Sequence, residues 1–212
     1  VLILICIAAL CISPGLSDKN KGLFSGDILD VGLEAFVADI PDSPAFITEK
    51  EEVVEENPQD VQSWVDIGKA QLKAENWESA GEAFTQVLEL DPQNKDGWEG
   101  RFQVLLGEEK YEELQARSQE VIEEHPDWDI GFLYQGISQL RLQRYNEGID
   151  ALTKAISIDP ENPKSWRFKG DGLRYLKRYE DAVQAYDTAL KYDPNNIPAY
   201  NNKGLALYAL KK

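Results

Sequence analysis

The sequence predicts an all-α solenoid built from one repeated helix pair. Three observations carry the prediction. Pro58, Pro92, Pro126, Pro160 and Pro194 stand at intervals of 34 residues. Trp64, Trp98, Phe132, Trp166 and Tyr200 keep the same interval, as do Trp77, Tyr111, Tyr145 and Tyr179. Between the prolines, apolar residues recur with the 3.6-residue period of amphipathic helices, not the two-residue alternation of strands. A fixed period of this kind marks units that cannot bury an apolar face alone and do so by stacking.

The array occupies residues 58–212, as units 61–94, 95–128, 129–162 and 163–196 followed by a single helix over 197–212. In the first unit the spacing predicts one helix over 61–74 and a second over 77–90. Trp64, Ile67, Gly68 and Leu72 form the apolar side of the first helix, and Ala80, Ala83, Phe84, Val87 and Leu88 that of the second. Asp91-Pro92-Gln93-Asn94 then makes the turn. Proline cannot continue a helix and pushes the residue before it into an extended conformation.

This register resembles the tetratricopeptide repeat. Trp64, Ile67, Gly68, Ala80, Phe84, Val87 and Pro92 stand at that motif's signature places. Phe132, Gly136, Tyr145, Gly148, Leu152, Ala155 and Pro160 repeat it, as do Trp166, Gly170, Tyr179, Ala182, Tyr186, Ala189 and Pro194. The second unit diverges: Phe102 replaces a small residue, Leu114 an alanine and Ser118 an aromatic. The resemblance implies a right-handed superhelix whose concave face is lined by first helices. It also implies a non-enzymatic surface for protein partners or identical protomers.

Carried over by register, the lining residues are Val65, Lys69, Leu72 and Lys73, then Glu99, Gln103 and Leu106. The third unit contributes Ile130, Leu133, Ile137 and Leu140. The fourth contributes Lys164, Arg167, Asp171, Arg174 and Tyr175, and the last helix Asn201, Leu205 and Tyr208. The groove is thus expected to begin mixed, turn apolar in the third unit and become basic in the fourth. That suits a peptide with apolar anchors and an acidic end. Alternatively, the aliphatics pack against the chain's own N-terminal segment or a neighbour, and the cations pair with nearby carboxylates. The chaperone-tail carboxylate clamp of some family members is excluded, because Val65 and Glu99 stand at its lysine places and its asparagines are missing.

Composition narrows the function further. Apolar residues make up 42% of the chain, enough for a sizeable core, and the formal net charge is −16. Such a charge opposes nucleic acid and anionic membranes, and no run of Lys or Arg offsets it. No phosphate-cradling loop, dinucleotide fingerprint or Cys-x-x-Cys pair occurs. The single histidine, His125, precedes Pro126 at a helix end, where a structural role is expected. No catalytic residue, cofactor or metal site is therefore expected.

Two further segments precede the array. Residues 1–22 open with the unbroken apolar run Val1–Ile12, which contains Cys6 and Cys11. Twelve helical residues span about 18 Å, short of a membrane's hydrocarbon core. The run reads as a signal-peptide remnant, as a retained anchor or assembly segment, or as a buried helix. Its first two forms place the chain outside the cytoplasm, secreted or at the cell surface, with membrane contact only through this run. Over residues 23–57, Leu29, Leu33, Phe36, Val37 and Ile40 form one helical stripe stopped by Pro41. The stripe covers the open end of the solenoid or docks into a groove, in cis or on a neighbour. An extended linker and a helix over about 48–56 follow it.

The last helix carries Tyr200, Leu205 and Tyr208, apolar residues that suit a cap, a truncated unit or a stacked protomer. Val1, Leu2, Ile3, Leu4, Leu29, Leu33, Phe36, Val37, Tyr200, Leu205 and Tyr208 are accordingly the expected contacts if the chain assembles with itself. Two functions stay open: a protein-interaction scaffold, and a self-assembling subunit of an extracellular filament.

Overall fold

The computed structural model describes residues 36–41 and 43–211. Ten helices form this part: α1 Pro44–Glu56, α2 Val61–Lys73, α3 Trp77–Leu90, α4 Lys95–Gly107, α5 Tyr111–Glu124, α6 Asp129–Arg141, α7 Tyr145–Ile158, α8 Pro163–Tyr175, α9 Tyr179–Tyr192 and α10 Ile197–Leu210. No strand occurs among the described residues, and no helix there is long and apolar enough to cross a membrane. The first helices α2, α4, α6, α8 and α10 pack against one another in sequence along the array, while the second helices are held apart by the first. Curvature follows: the row in mutual contact is the inner, concave one.

The turns between units draw on the same few bonds. The carboxylates of Asp91, Asp159 and Asp193 accept the backbone N–H two residues on, at 3.0–3.1 Å. Proline removes the competing donor between them. The indole N–H groups of Trp64, Trp98 and Trp166 donate to the carbonyls of Pro58, Pro92 and Pro160 at 2.8–3.0 Å. Asn94, Asn162 and Asn196 then cap the next helix by accepting backbone N–H bonds. At the divergent turn His125 stacks on Trp128 instead, with centroids 3.8 Å apart.

Within a unit, a glycine of the first helix receives a large side chain of the second. A Cβ on Gly68 would lie 2.7 Å from the Phe84 ring, one on Gly136 2.6 Å from Leu152, and one on Gly170 2.6 Å from Tyr186. Unit two reverses the arrangement. Phe102 supplies the bulk from the first helix and packs tilted against the Tyr134 ring, with Ser118 also buried. The α4–α5 interface is correspondingly smaller than those of the other pairs. An open cleft lined by Thr85, Leu88, Trp98, Arg101 and Leu105 lies beside it.

Two expectations for the lead-in need correction. The helix expected from about residue 48 begins at Pro44, because proline at the first helical position has its φ preset and no N–H to lose. The helical stripe ends at Phe36, and residues 37–40 turn, with the Ile40 N–H bonded to the Val37 carbonyl at 3.1 Å. Pro41 keeps Ile40 from the helical region. Residues 1–22, together with Leu29 and Leu33, lie outside the described residues.

Candidate partner-binding groove

The inner row divides into two halves. At its N-terminal half the chain covers itself. Phe36 lies 6.0 Å from the Phe84 ring, with the Lys69 ammonium 4.7 Å above its face. Lys73 donates to the Ile40 carbonyl at 3.0 Å. Phe36 and Val37 are buried with Val65 and Leu72, so all four expected lining positions of the first unit hold a segment of the same chain. The described end of the stripe, residues 36–40, thus docks in cis. For Phe36 and Val37 this replaces the expected contact with a neighbour.

The third unit differs from expectation. Ile130, Leu133, Ile137 and Leu140 are only 2–6% exposed. They join the central core with Phe102, Leu106 and Phe168 from the adjacent first helices. First helices in contact leave little room between them, so residues just off the packing side are drawn under the surface. These aliphatics form the floor of the groove, not anchoring sites along it.

Over that floor runs a polar chain. Gln103 donates to the Tyr134 hydroxyl at 2.7 Å, which donates to Glu99 at 3.3 Å. Lys164 reaches the same Glu99 oxygen at 2.7 Å. Because α6 lies between α4 and α8, this ion pair crosses the third unit. Burial, aided by the Glu99 charge, pushes the Tyr134 phenol well above the ordinary tyrosine range.

The fourth unit holds a cationic cluster around Asp171. Arg167 is buried and donates to Asp171 Oδ2 at 3.0 Å, with its guanidinium 3.6 Å above the Phe168 ring. The Tyr186 hydroxyl and the Asn202 amide donate to Oδ1 at 2.7 and 2.8 Å. Arg174 lies over Tyr175, which stacks on Tyr145 with centroids 5.1 Å apart. Arg141, not anticipated from the sequence, joins them. Desolvation lowers its pKa to about 10, against the opposing pull of Tyr111 and Asp171. Its register place, just after Leu140, is the one that Lys73 and Tyr175 hold in other units, and that is the signal by which it could have been found.

At the far end, α10 exposes Ile197, Tyr200, Leu205, Leu207, Tyr208 and Leu210.

The sequence matches three repeat models: "Tetratricopeptide repeat" over residues 51–95 and again over 136–162, and "TPR repeat" over 170–211. The chain belongs to the tetratricopeptide-repeat (TPR) family. Solved TPR proteins share its fold. TTC0263, a thermophilic TPR protein of Thermus thermophilus, is 18% identical with a TM-score of 0.65, over 76% of this chain and 89% of that one. A chain of the Cut9–Hcn1 hetero-tetramer of the APC/C gives 15% identity and a TM-score of 0.68, over 79% of this chain and 33% of that one. YrrB, a TPR protein with an unusual peptide-binding site, gives 19% and 0.51, over 76% and 83%. No curated protein matches the sequence. TPR arrays generally mediate protein–protein interactions.

Proposed function

We propose that this TPR protein is a non-enzymatic scaffold whose groove binds an acidic peptide segment of a protein partner over the third and fourth units. One observation carries the reading. Arg141, Arg167 and Arg174 gather around Asp171 on the inner face of a chain whose net charge is −16. The cluster gathers guanidinium groups on a chain that is acidic elsewhere, and planar guanidinium groups suit bidentate carboxylate recognition. Tyr145 and Tyr175 supply a flat apolar wall beside it.

The test uses the full chain and two fluorescent peptides, one of alternating Leu and Glu and the other with Gln for Glu. The acidic peptide binds more tightly, and its affinity falls with salt. Arg174→Gln weakens it at least about tenfold, with helical circular dichroism unchanged. Equal binding of both peptides, or no effect of Arg174→Gln, overturns the reading.

The apolar run Val1–Ile12 supports export, to the medium or the cell surface. Fractionation of cells with intact-mass measurement tests it, and an unprocessed cytoplasmic protein refutes it. A second reading, a self-assembling subunit of an extracellular filament, is supported by the exposed apolar surface of α10. Oligomeric state across a concentration series tests that.

A further inference from the structure

The second-helix side of the array opens between α3 and the α4–α5 pair. Gln115, Ile149 and Val183 share one register place in the later second helices, and Gly81 holds that place in α3. Ile149 shows what a side chain does there. It is buried against the next first helix, 2.9 Å from where a Cβ on Gly172 would lie. Gly81 has no side chain to offer α4 in this way. Arg101 of α4 reaches across instead and donates to the Gly81 carbonyl at 3.2 Å. The missing side chain and the small α4–α5 interface together leave a cleft.

The cleft runs along α3. Its larger hollow holds about 580 Å³, within the usual range of binding pockets, and Trp64, Trp77, Val104 and Leu105 are among its walls. A smaller hollow of about 270 Å³ shares Thr85, Arg101 and Leu105 with it and adds Leu88, Trp98 and Phe102. From Glu78 in the first turn of α3 to Glu89 in the last, the lining covers about 16 Å, or roughly three helical turns. Arg101 and Leu105 lie on the other side of α4 from Glu99 and Gln103, so this trough is separate from the acidic-peptide groove.

We propose that this cleft docks a basic amphipathic helix of a protein partner. Charge identifies the occupant. Residues 44–128 carry twenty-two Asp and Glu against seven Lys and Arg, whereas residues 129–212 carry ten against thirteen. The cleft lies in the acidic half. α1, which holds the register of a second helix, alone carries Glu49, Glu51, Glu52, Glu55 and Glu56 against one lysine. At the cleft itself, Glu78 and Glu82 stand one turn apart on α3 and Glu113 faces them from α5, all three exposed. The cations there are already engaged: Lys110 with Glu108 at 3.0 Å, Arg117 with Glu120 at 2.9 Å, and Arg101 with the Gly81 carbonyl.

Shape and charge divide the work. A helix laid in a groove anchors through apolar side chains at i, i+4 and i+7, and the indoles, Leu88 and Leu105 supply the matching surface. Lysines on its flanks meet Glu78 and Glu82 on one side and Glu113 on the other. Exposed ion pairs add little affinity each, so the apolar trough supplies binding while the carboxylates select a basic partner and repel an acidic one.

The test uses the full chain at physiological salt and a fluorescent amphipathic peptide with Leu on one helical face and Lys on the other. A second peptide carries Gln in place of Lys. The basic peptide binds more tightly than its Gln counterpart. Thr85→Trp, which fills the cleft without changing charge, weakens it at least about tenfold, and so does Glu82→Lys combined with Glu113→Lys. Gln86→Trp replaces Thr85→Trp if circular dichroism shows that variant to be poorly folded. Glu51→Lys with Glu52→Lys, on α1, leaves binding nearly unchanged, because charges beyond about 8 Å are screened. Arg174→Gln, which disables the groove for the acidic peptide, also leaves it unchanged, so the two sites fail independently. An equal loss in the α1 variant shows diffuse attraction to an acidic chain and overturns the proposal. Full binding in the cleft-filled variant, loss in Arg174→Gln, or no binding by the wild type overturns it as well.

Discussion

Lys164 Nζ lies 2.7 Å from Glu99 Oε1, although the two residues are 65 positions apart. The pair joins the second and fourth units across the third, and both side chains are about four-fifths buried. It therefore clips the second unit to the fourth and covers part of the groove. Glu99→Gln keeps the shape but removes the charge. A double-mutant cycle with Lys164→Met is expected to give a coupling of about 1 kcal/mol, larger at low salt. Glu99→Gln is also expected to tighten binding of the acidic peptide, since a competing carboxylate leaves the groove. Unchanged affinity would show that the ion pair does not guard the site.

Asp171 is the hub of the fourth unit, accepting from Arg167, Tyr186 and Asn202. Asp171→Asn removes the carboxylate charge that the buried guanidinium of Arg167 pairs with. The expected loss is about 3 kcal/mol, read as a lower urea midpoint. Tyr186→Phe removes one hydrogen bond to the same carboxylate and is expected to cost about 1 kcal/mol.

Much of this was legible in the sequence, for physical reasons. The 34-residue period fixed the helix pairs because proline, the indole donor and the capping asparagine each act within a few residues of the turn. The basic character of the fourth unit followed from register alone. Other features depend on how the units curve. α1 was not legible as half a repeat, because Phe46 and Lys50 replace the small and aromatic residues of the motif. The depth of Ile130, Leu133, Ile137 and Leu140 depends on how closely the first helices approach, which no local pattern encodes. The Lys164–Glu99 pair depends on superhelical pitch, and the docking of Phe36 on a chain reversal at Ile40.

The turn inside each unit places a residue other than glycine in the left-handed region: Glu75, Glu109, Gln143 and Lys177 have φ of 58–62°. The residue after each closes the helix, as Arg144 does with its N–H on the Gln139 carbonyl at 2.8 Å. A side chain there costs about 1–2 kcal/mol, partly offset in glycine by greater unfolded-state entropy. Gln143→Gly is expected to stabilise by about 0.5 kcal/mol. All four glycine replacements together should give about 2 kcal/mol, because the sites are far apart. Thermal unfolding of the single and fourfold variants checks the sign, and Gln143→Val should lower the midpoint.

Alkaline stability follows from the buried phenols. Burial raises the pKa of Tyr134 and Tyr186 well above 10, reinforced by Glu99 and Asp171 respectively, and raises Tyr111, Tyr145 and Tyr175 as well. In the unfolded chain these phenols ionise near 10. Above that pH the folded state holds more protons than the unfolded one. The tyrosines' contribution is thus fully present below about pH 10 and is lost as pH rises through the folded-state values. Arg141 acts in the opposite sense: with its pKa lowered to about 10, it favours the folded state as pH climbs toward the ordinary arginine value. Five phenols outweigh one guanidinium, so unfolding is expected above pH 10, with tyrosinate absorbance and helix loss rising together. Tyr134→Phe should lower stability at neutral pH by about 1 kcal/mol, through its lost bonds to Gln103 and Glu99, yet flatten the fall above pH 10. Tyrosinate absorbance that reaches its full amplitude while the helices remain intact would refute the assignment.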